Sequence, residues 1–439
     1  MAELREGSKK ERTGVELFAG AGGLAMAVHR AGFRPLLFNE FAKRACETLE
    51  ANGAVRLPDG EKPTRAPELG EKVPLVAGDV QELDMVYLAG KVDMLAGGPP
   101  CQPFSLGGVA KGDEDKRNMF PQMFKAVRQI QPKAVICENV RGLLRPSFKR
   151  YFDYIQRELE LPFEERAEGA DWEQHYEYLL ERREKEPDDP KKRYDLVMMP
   201  VNAADYGVPQ IRNRVIIVAF RRDLNVDREL FKELVKPTHS QAALVRSMEE
   251  DGDYWKRHPK VPDHVKKRVI ARLPKIMPMD DGLLPWCTLR DAITGIGDNK
   301  PLPDVPEEWL DRDEHFLGGF TDHIGWPDAR IYDGHTPNEL DRPAKTVKAG
   351  VHGVPGGESV MLLDELVTDK TAPGGVRYKH RYMTVRETAR VMTFPDTWEL
   401  KGPRGEKMRQ LGNAVPVALG EVFAKAVAAV LDEAEERQK

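Results

Sequence analysis

Four cysteines in 439 residues, Cys46, Cys101, Cys137 and Cys287, stand far apart, with no CxxC pair and no cysteine–histidine cluster. That scatter argues against a disulfide framework and against a structural zinc site, so any cysteine with a special duty must act as a thiol. No apolar run approaches the roughly 20 residues needed to span a bilayer. The opening stretch MAELREGSKKERTG is a polar lead-in without a signal pattern, and a cytoplasmic location is expected. An excess of positive charge is missing too: 67 Lys and Arg against 72 Asp and Glu leave a net charge of -5. Whole-chain charge therefore does not announce a polyanion binder, although only the facing surface counts. Basic stretches do occur at 141–150, 256–275 and 377–390. Internal repeats and low-complexity tracts are absent.

What is present begins with a rhythm. Over the first 220 residues short apolar runs alternate with amphipathic stretches, the pattern of βαβ units and a mostly parallel sheet. Strands are expected at 14–18, 35–39, 75–77, 92–96, 134–138 and 215–220, with helices at 23–31 and 41–52. A charged segment, 155–193, breaks the rhythm and reads as a surface helix with a loop. From residue 221 to about 375 proline and glycine become frequent and long periodic segments vanish, which suggests a separate irregular domain. Near the end, Leu419, Phe423, Val427 and Val430 recur at helical spacing, with Pro416 tolerated in the first turn. That apolar face needs a partner, and the N-terminal sheet is the natural one.

Four segments carry chemistry. In VELFAGAGGLA (15–25) a strand ends in glycines before a helix, and Gly20, Gly22 and Ala25 fit the G-x-G-x-x-G/A nucleotide-binding turn. Glu40 follows Gly20 by 20 residues at the next strand end, where a carboxylate can accept ribose hydroxyls. An adenosine-type cofactor is indicated, with NAD still open. In MLAGGPPCQPFS (94–105) Cys101 follows a strand end inside a Pro/Gly-rich loop, a place for a reactive thiol rather than an inert one. The strand of VICENVR (135–141) ends in Glu138, which reaches the same sheet edge. In GVPQIRNRVIIVAF (207–220) Gln210, Arg212 and Arg214 alternate into a strand, and a period of two sends all three to one face.

Together with RYMTVRETARVMTFPD (381–396) and GNAVPV (412–417), these segments resemble the ordered signature motifs of the DNA cytosine-5 methyltransferases. The resemblance covers residues 14–220 and 380–425. It implies an α/β, Rossmann-like fold of the S-adenosylmethionine-dependent methyltransferase type: a mostly parallel sheet with helices on both faces, plus a smaller irregular target-recognition domain. Residues 1–220, completed by the C-terminal helix at 405–439, would form the catalytic and cofactor-binding domain. Residues 221–404 would form the target-recognition domain, with a variable block at 221–375.

The same resemblance implies a mechanism and its residues. Cys101 would add to C6 of a flipped-out cytosine, since a thiolate adduct places electron density on the otherwise unreactive C5. Glu138 would hold N3 and the exocyclic amine, Arg214 the base O2, and Arg212 would support the site. S-adenosylmethionine, leaving as S-adenosylhomocysteine, would rest on Phe18, Ala19, Gly20, Gly22, Gly23, Leu24, Asn39, Glu40, Phe41, Asp79, Val80, Pro100, Asn413 and Val415. Phe41 stands where family members often carry tryptophan. Gln102, Phe104, Ser105, Gln210 and Thr346 would face the DNA, and the glycines 107–108 would open a mobile loop. The implied partner is double-stranded DNA, with a cognate restriction endonuclease left open, a monomer expected, and no metal and no membrane. An RNA-methylating relative shares the catalytic motifs, but roughly 155 residues at 221–375 favour DNA. An inactive DNA-binding relative is disfavoured by the retention of Cys101, Glu138, Arg212 and Arg214.

Overall fold

The computed structural model describes residues 11–100, 118–185, 189–295, 299–310, 316–331, 333–349 and 359–439. The chain divides into two compact units. The first comprises Met1–Pro200, Arg214–Val235 and Gly420–Lys439; the second comprises Val201–Asn213 and Lys236–Leu419.

Unit 1 is built on β1 (Arg12–Leu17), α1 (Gly23–Arg30), β2 (Phe33–Glu40), α2 (Lys43–Ala51), β3 (Val55–Arg56), β4 (Pro74–Ala77), β5 (Met94–Gly97), α3 (Phe120–Ile130), β6 (Ala134–Val140), α4 (Lys149–Glu160), α5 (Trp172–Arg183), β7 (Tyr194–Asn202) and β8 (Asn213–Arg221). The eight strands form one sheet in the order β3-β4-β2-β1-β5-β6-β8-β7. From β3 to β6 every pairing is parallel, and β8 joins β6 antiparallel. The parallel strands are near-continuous apolar runs because both of their faces are covered. In β1, Val15 and Leu17 enter a core with Phe124 and Val127 of α3, while Gly14 on the opposite face lies against Val28 of α1. In β8, Val215, Ile217 and Ala219 join that same core. Phe220, on its other face, stacks edge-on with Phe231, which in turn meets Phe423 of the C-terminal helix Val417–Arg437.

That helix buries Leu419, Phe423, Val427 and Val430 completely or nearly so. Asp432 and Glu435 near its end pair with the buried Arg12 of β1, and Glu435 also meets Lys133, which bonds Asp93. The stretch Arg404–Arg437 is long and apolar enough to pass as a membrane span, unlike the expectation from run length. Its most apolar window is 67% buried in the fold, so its composition is that of a core helix.

The charged segment 155–193 is more ordered than a surface helix and loop. Here α4 and α5 enclose a buried polar cluster in which Tyr154 Oη donates to Glu158 Oε1 and lies 3.2 Å from His175 Nδ1. The edge strand β7 follows; it carries Pro200, which an edge tolerates.

Unit 2 is irregular, with short helices and one long hairpin of Val360–Thr368 and Val376–Tyr382. Buried ion pairs knit it. Arg290 bonds Asp341 and Asp364, Arg381 bonds Glu387, Arg390 bonds Asp396, and Lys407 bonds Asp322.

Candidate active site

The parallel register lines up the carboxyl ends of five strands. Leu17 pairs with Asn39 and Gly97, Glu40 with Ala77, and Gly97 with Cys137. One edge of the sheet therefore gathers the glycine turn, Glu40, Gly78–Asp79, Gly98–Pro100 and Glu138. The connections from β1 run one way to β2 and β4, and later ones run the other way to β5 and β6. Ligands of open α/β sheets bind at such a switch.

The turn after β1 is held in left-handed backbone at Phe18, Gly20 and Gly22 (φ of 57°, 54° and 85°). Glycine adopts that conformation without a steric penalty and lets a ligand approach the backbone. Glu40 stabilises the turn: its Oε2 accepts the Gly20 N–H at 2.7 Å, and its Oε1 accepts the N–H groups of Phe41 and Ala42. Acceptor capacity remains on Oε2. Ala19 donates its N–H to the Asn39 carbonyl. The Asn39 amide donates to the carbonyls of Val76 and Gly78 and so ties β2 to the loop bearing Asp79. Asp79 accepts the Gln81 N–H as a cap, Val80 is buried behind it, and Gly23 and Leu24 are buried at the start of α1. Phe41 is 77% exposed, a bare aromatic face beside the turn.

Sequence reasoning missed Glu16, whose signal was its place in the strand before the turn. Its carboxyl is buried, and Oε2 has no hydrogen-bond partner among the described residues. Burial lifts it well above the usual carboxylate range, a backbone hydrogen bond at Ala25 opposes this, and the nearby Glu40 charge adds to it. Two carboxyl groups and a glycine turn suit a ligand that brings hydroxyl and ammonium donors.

Glu138, two residues before the end of β6, is almost fully buried, with Arg214 Nε 2.7 Å from its Oε1. The antiparallel register explains the pairing. Arg214 faces Val140, two residues from Glu138, and such diagonal neighbours share a face. The contact is a close ion pair, and Oε1 takes no hydrogen bond among the described residues. Asn139, also missed, donates to the Pro99 carbonyl, and Met119 N–H donates to Pro100. The two ends of the loop carrying Cys101 are thereby fastened. Cys101, Gln102, Phe104, Ser105 and the glycines 107–108 lie outside the described residues. The three described cysteines are poor nucleophiles: burial pushes the thiols of Cys46, Cys137 and Cys287 up to about 12.

Gln210, Arg212 and Arg214 do not share one strand face, because β8 starts only at Asn213. Gln210 and Arg212 belong to unit 2 and are fully buried there. Arg212 donates to the carbonyls of Val347, Gly412 and Ala414, and the Gln210 amide meets Val347 N–H and Met392 Sδ. Thr346 Oγ1 donates to the Ile211 carbonyl. Arg212 therefore holds the turn that presents Asn413, which is exposed, and Val415, which is buried.

Comparison with known proteins gives the family. The family model described as C-5 cytosine-specific DNA methylase matches residues 13–161 and 191–429, leaving α5 outside the match. The chain is 30% identical over 433 residues to the Type II methyltransferase M.Eco47II of Escherichia coli, covering 97% of this chain and 81% of that protein. It is also 30% identical over 425 residues to M.PspPI of a Psychrobacter species, covering 96% and 80%. Among solved structures, a prophage-encoded protein from E. coli described as a DNA modification methyltransferase superposes with a TM-score of 0.54 at 18% identity, covering 96% and 99%. A DNMT2 variant of Spodoptera frugiperda gives 0.52 at 16% identity, covering 95% and 99%. The sheet with helices on both faces is accordingly the Rossmann-like fold of S-adenosylmethionine-dependent methyltransferases. With a family model matching most of its length, the chain belongs to the C-5 cytosine-specific DNA methylases and is a DNA (cytosine-5) methyltransferase.

Proposed function

We propose that this enzyme methylates C5 of a cytosine within a specific duplex DNA sequence, after extruding the base and adding Cys101 to C6. The observation that carries this reading is the buried Glu138–Arg214 pair at the sheet edge, beside the fastened ends of the Cys101 loop. Cytosine C5 is a weak nucleophile, and thiolate addition at C6 divides one hard step into two easier ones. Glu138 hydrogen-bonds N3 and the exocyclic amine and offsets the charge that develops during attack. Arg214 both holds the Glu138 carboxylate and reaches O2 of the base. Elimination of Cys101 follows removal of the C5 proton.

The bound cofactor supplies a sulfonium-activated methyl group. Glu40 Oε2 would accept from its ribose, the turn at Phe18–Gly22 would let it approach the backbone, and the Glu16 carboxyl would take its ammonium end. Phe41 and Asp79 would flank its adenine. Gln210, Arg212 and Thr346 act through position, because their polar groups are engaged within unit 2. Unit 1 is thus the catalytic and cofactor body, and unit 2 reads the target. The Type II names of the relatives support a modification role alongside an endonuclease acting on the same site.

The test pairs two variants. Cys101→Ser abolishes methyl transfer while calorimetry still shows cofactor binding, and a 5-fluorocytosine duplex traps the wild type covalently at Cys101. Glu138→Gln lowers the single-turnover rate by roughly 100-fold, the scale of a lost general acid. An adduct mapped to Cys46, Cys137 or Cys287, or a near-normal rate for Glu138→Gln, defeats the reading.

A further inference from the structure

Unit 2 carries one of the basic stretches of this otherwise acidic chain. Residues 256–275 contain eight Lys and Arg against a single Asp. Some of these charges are used internally: Arg257 pairs with Asp291 and Arg272 with Glu339, while Arg268 lies over the Tyr378 ring. Lys260, Lys267 and Lys275 are exposed and have no acidic partner among the described residues. The helix Asp263–Ile270 explains the arrangement. Val265 is buried, and Val269 and Ile270 pack on the cluster around Tyr254 and Trp255, which turns Lys267 outward.

The loop that follows carries Ile276 and Met279, 87% and 89% exposed, the highest values among the large apolar side chains described. Its backbone is anchored nonetheless. Arg246 donates to the Met279 carbonyl and pairs with Asp280 and Asp281. Two apolar side chains on a fixed loop, next to unpaired lysines, form a surface for a polyanion with an apolar interior. Single exposed apolar residues are ordinary, but an anchored pair beside a charge cluster is a contact surface.

We propose that this helix and loop form a duplex-DNA docking surface. Lys260, Lys267 and Lys275 take backbone phosphates, and Ile276 and Met279 enter a groove against the base edges, where thymine methyls offer apolar contact. This rests on the DNA-methylating function and adds the element and chemistry by which unit 2 meets the duplex.

The experiment measures binding of the full-length enzyme to a random-sequence 30-base-pair duplex by anisotropy across a salt series. It also measures labelled-methyl transfer into genomic DNA. The triple variant Lys260→Ala, Lys267→Ala, Lys275→Ala should lose at least about tenfold in affinity, and its log–log salt slope should fall by about 2–3, since each phosphate contact contributes about 0.9. Ile276→Ser with Met279→Ser should bind the random duplex as wild type does but methylate genomic DNA at least about tenfold more slowly. Lys425→Ala, on the C-terminal helix, serves as the control and should change neither. An unchanged slope in the triple variant overturns the proposal, and so does wild-type methylation by the apolar pair. Loss of binding to vesicles containing phosphatidylserine, with DNA binding intact, would assign the surface to a membrane instead. Wild-type enzyme that transfers no methyl to DNA would instead defeat the functional reading itself.

Discussion

The two units reach stability by different means. Unit 1 fills the space between sheet and helices with side chains such as Leu17, Leu95, Phe120 and Val215, all fully buried. Unit 2 has little regular sheet to organise it and relies on buried charges, some of whose partners come from far along the chain. Arg290 alone joins Asp341, 51 residues away, and Asp364, 74 residues away, while Tyr254 Oη adds a second donor to Asp341. Apolar packing tolerates variation if volume is kept, whereas a buried ion pair fails when either member goes. A scaffold shared by many enzymes suits the first method, and a domain specified piece by piece suits the second.

The largest effect should come from breaking the charge network. Arg290→Met leaves Asp341 buried without its countercharge and should cost about 3–5 kcal/mol. The counterpart in unit 1, Leu95→Ala, opens a cavity and should cost about 2–5 kcal/mol. Five of the six tryptophans fall within 236–419, so tryptophan fluorescence should report the first variant and hardly the second. Hydrogen exchange at β1 and β5 should show the reverse. A single transition for both variants would erase the distinction between the units.

Acid should separate them next. Burial alone would raise the Glu387 carboxyl, but the Arg381 charge and hydrogen bonds hold it down at about 2, and Asp291 is likewise lowered beside His258 and Arg257. A depressed carboxyl contributes stability that is complete above its unfolded value and is lost as pH falls toward the folded one. Unit 2 should therefore lose about 3 kcal/mol from Glu387 between roughly pH 4.5 and 2. Glu16 in unit 1 has the opposite sign, because its raised carboxyl favours the folded state at low pH and loses that advantage as pH rises. Tryptophan fluorescence should record acid unfolding before exchange protection of β1 falls. The smallest effect sharpens that sign. Glu16→Gln should remove from unit 1 a decline with rising pH of up to about 1.4 kcal/mol per pH unit, the limit for one proton. A decline that persists in urea titrations at pH 5 to 8 would exonerate Glu16.

Legibility in the sequence followed the same division. Strands at 14–18, 35–39, 75–77, 92–96, 134–138 and 215–220 all fall within or across observed strands, because double-sided burial writes a continuous apolar run. β7 was missed because Pro200 interrupts it and only part of an edge strand is buried. The burial of His175 and Glu158 was hidden inside a charge-rich segment, since a cluster that satisfies itself resembles a solvated surface. Period-two counting misplaced Gln210 and Arg212, which precede the strand and turn inward to carbonyl groups. Glu40 and Glu138 were readable as acids at strand ends. In unit 2, pairs separated by 50 residues or more leave no periodic trace, and its architecture was correspondingly opaque.

The route of the chain sets an order on its birth. Residues 420–439 cover the far face of β8 through Phe423 and neutralise Arg12 of the first strand through Asp432 and Glu435. These residues are synthesised long after Arg12. Domains commonly fold as they emerge, but here β1 waits for the helix Val417–Arg437 while the whole of unit 2 is synthesised between them. A nascent chain stalled before residue 420 holds every motif of the catalytic edge and still lacks the cover for its sheet. Such a fragment presents Phe220 and Phe231 to chaperones and proteases, so a ribosome that stops early yields material for disposal rather than a half-competent modifier of the genome.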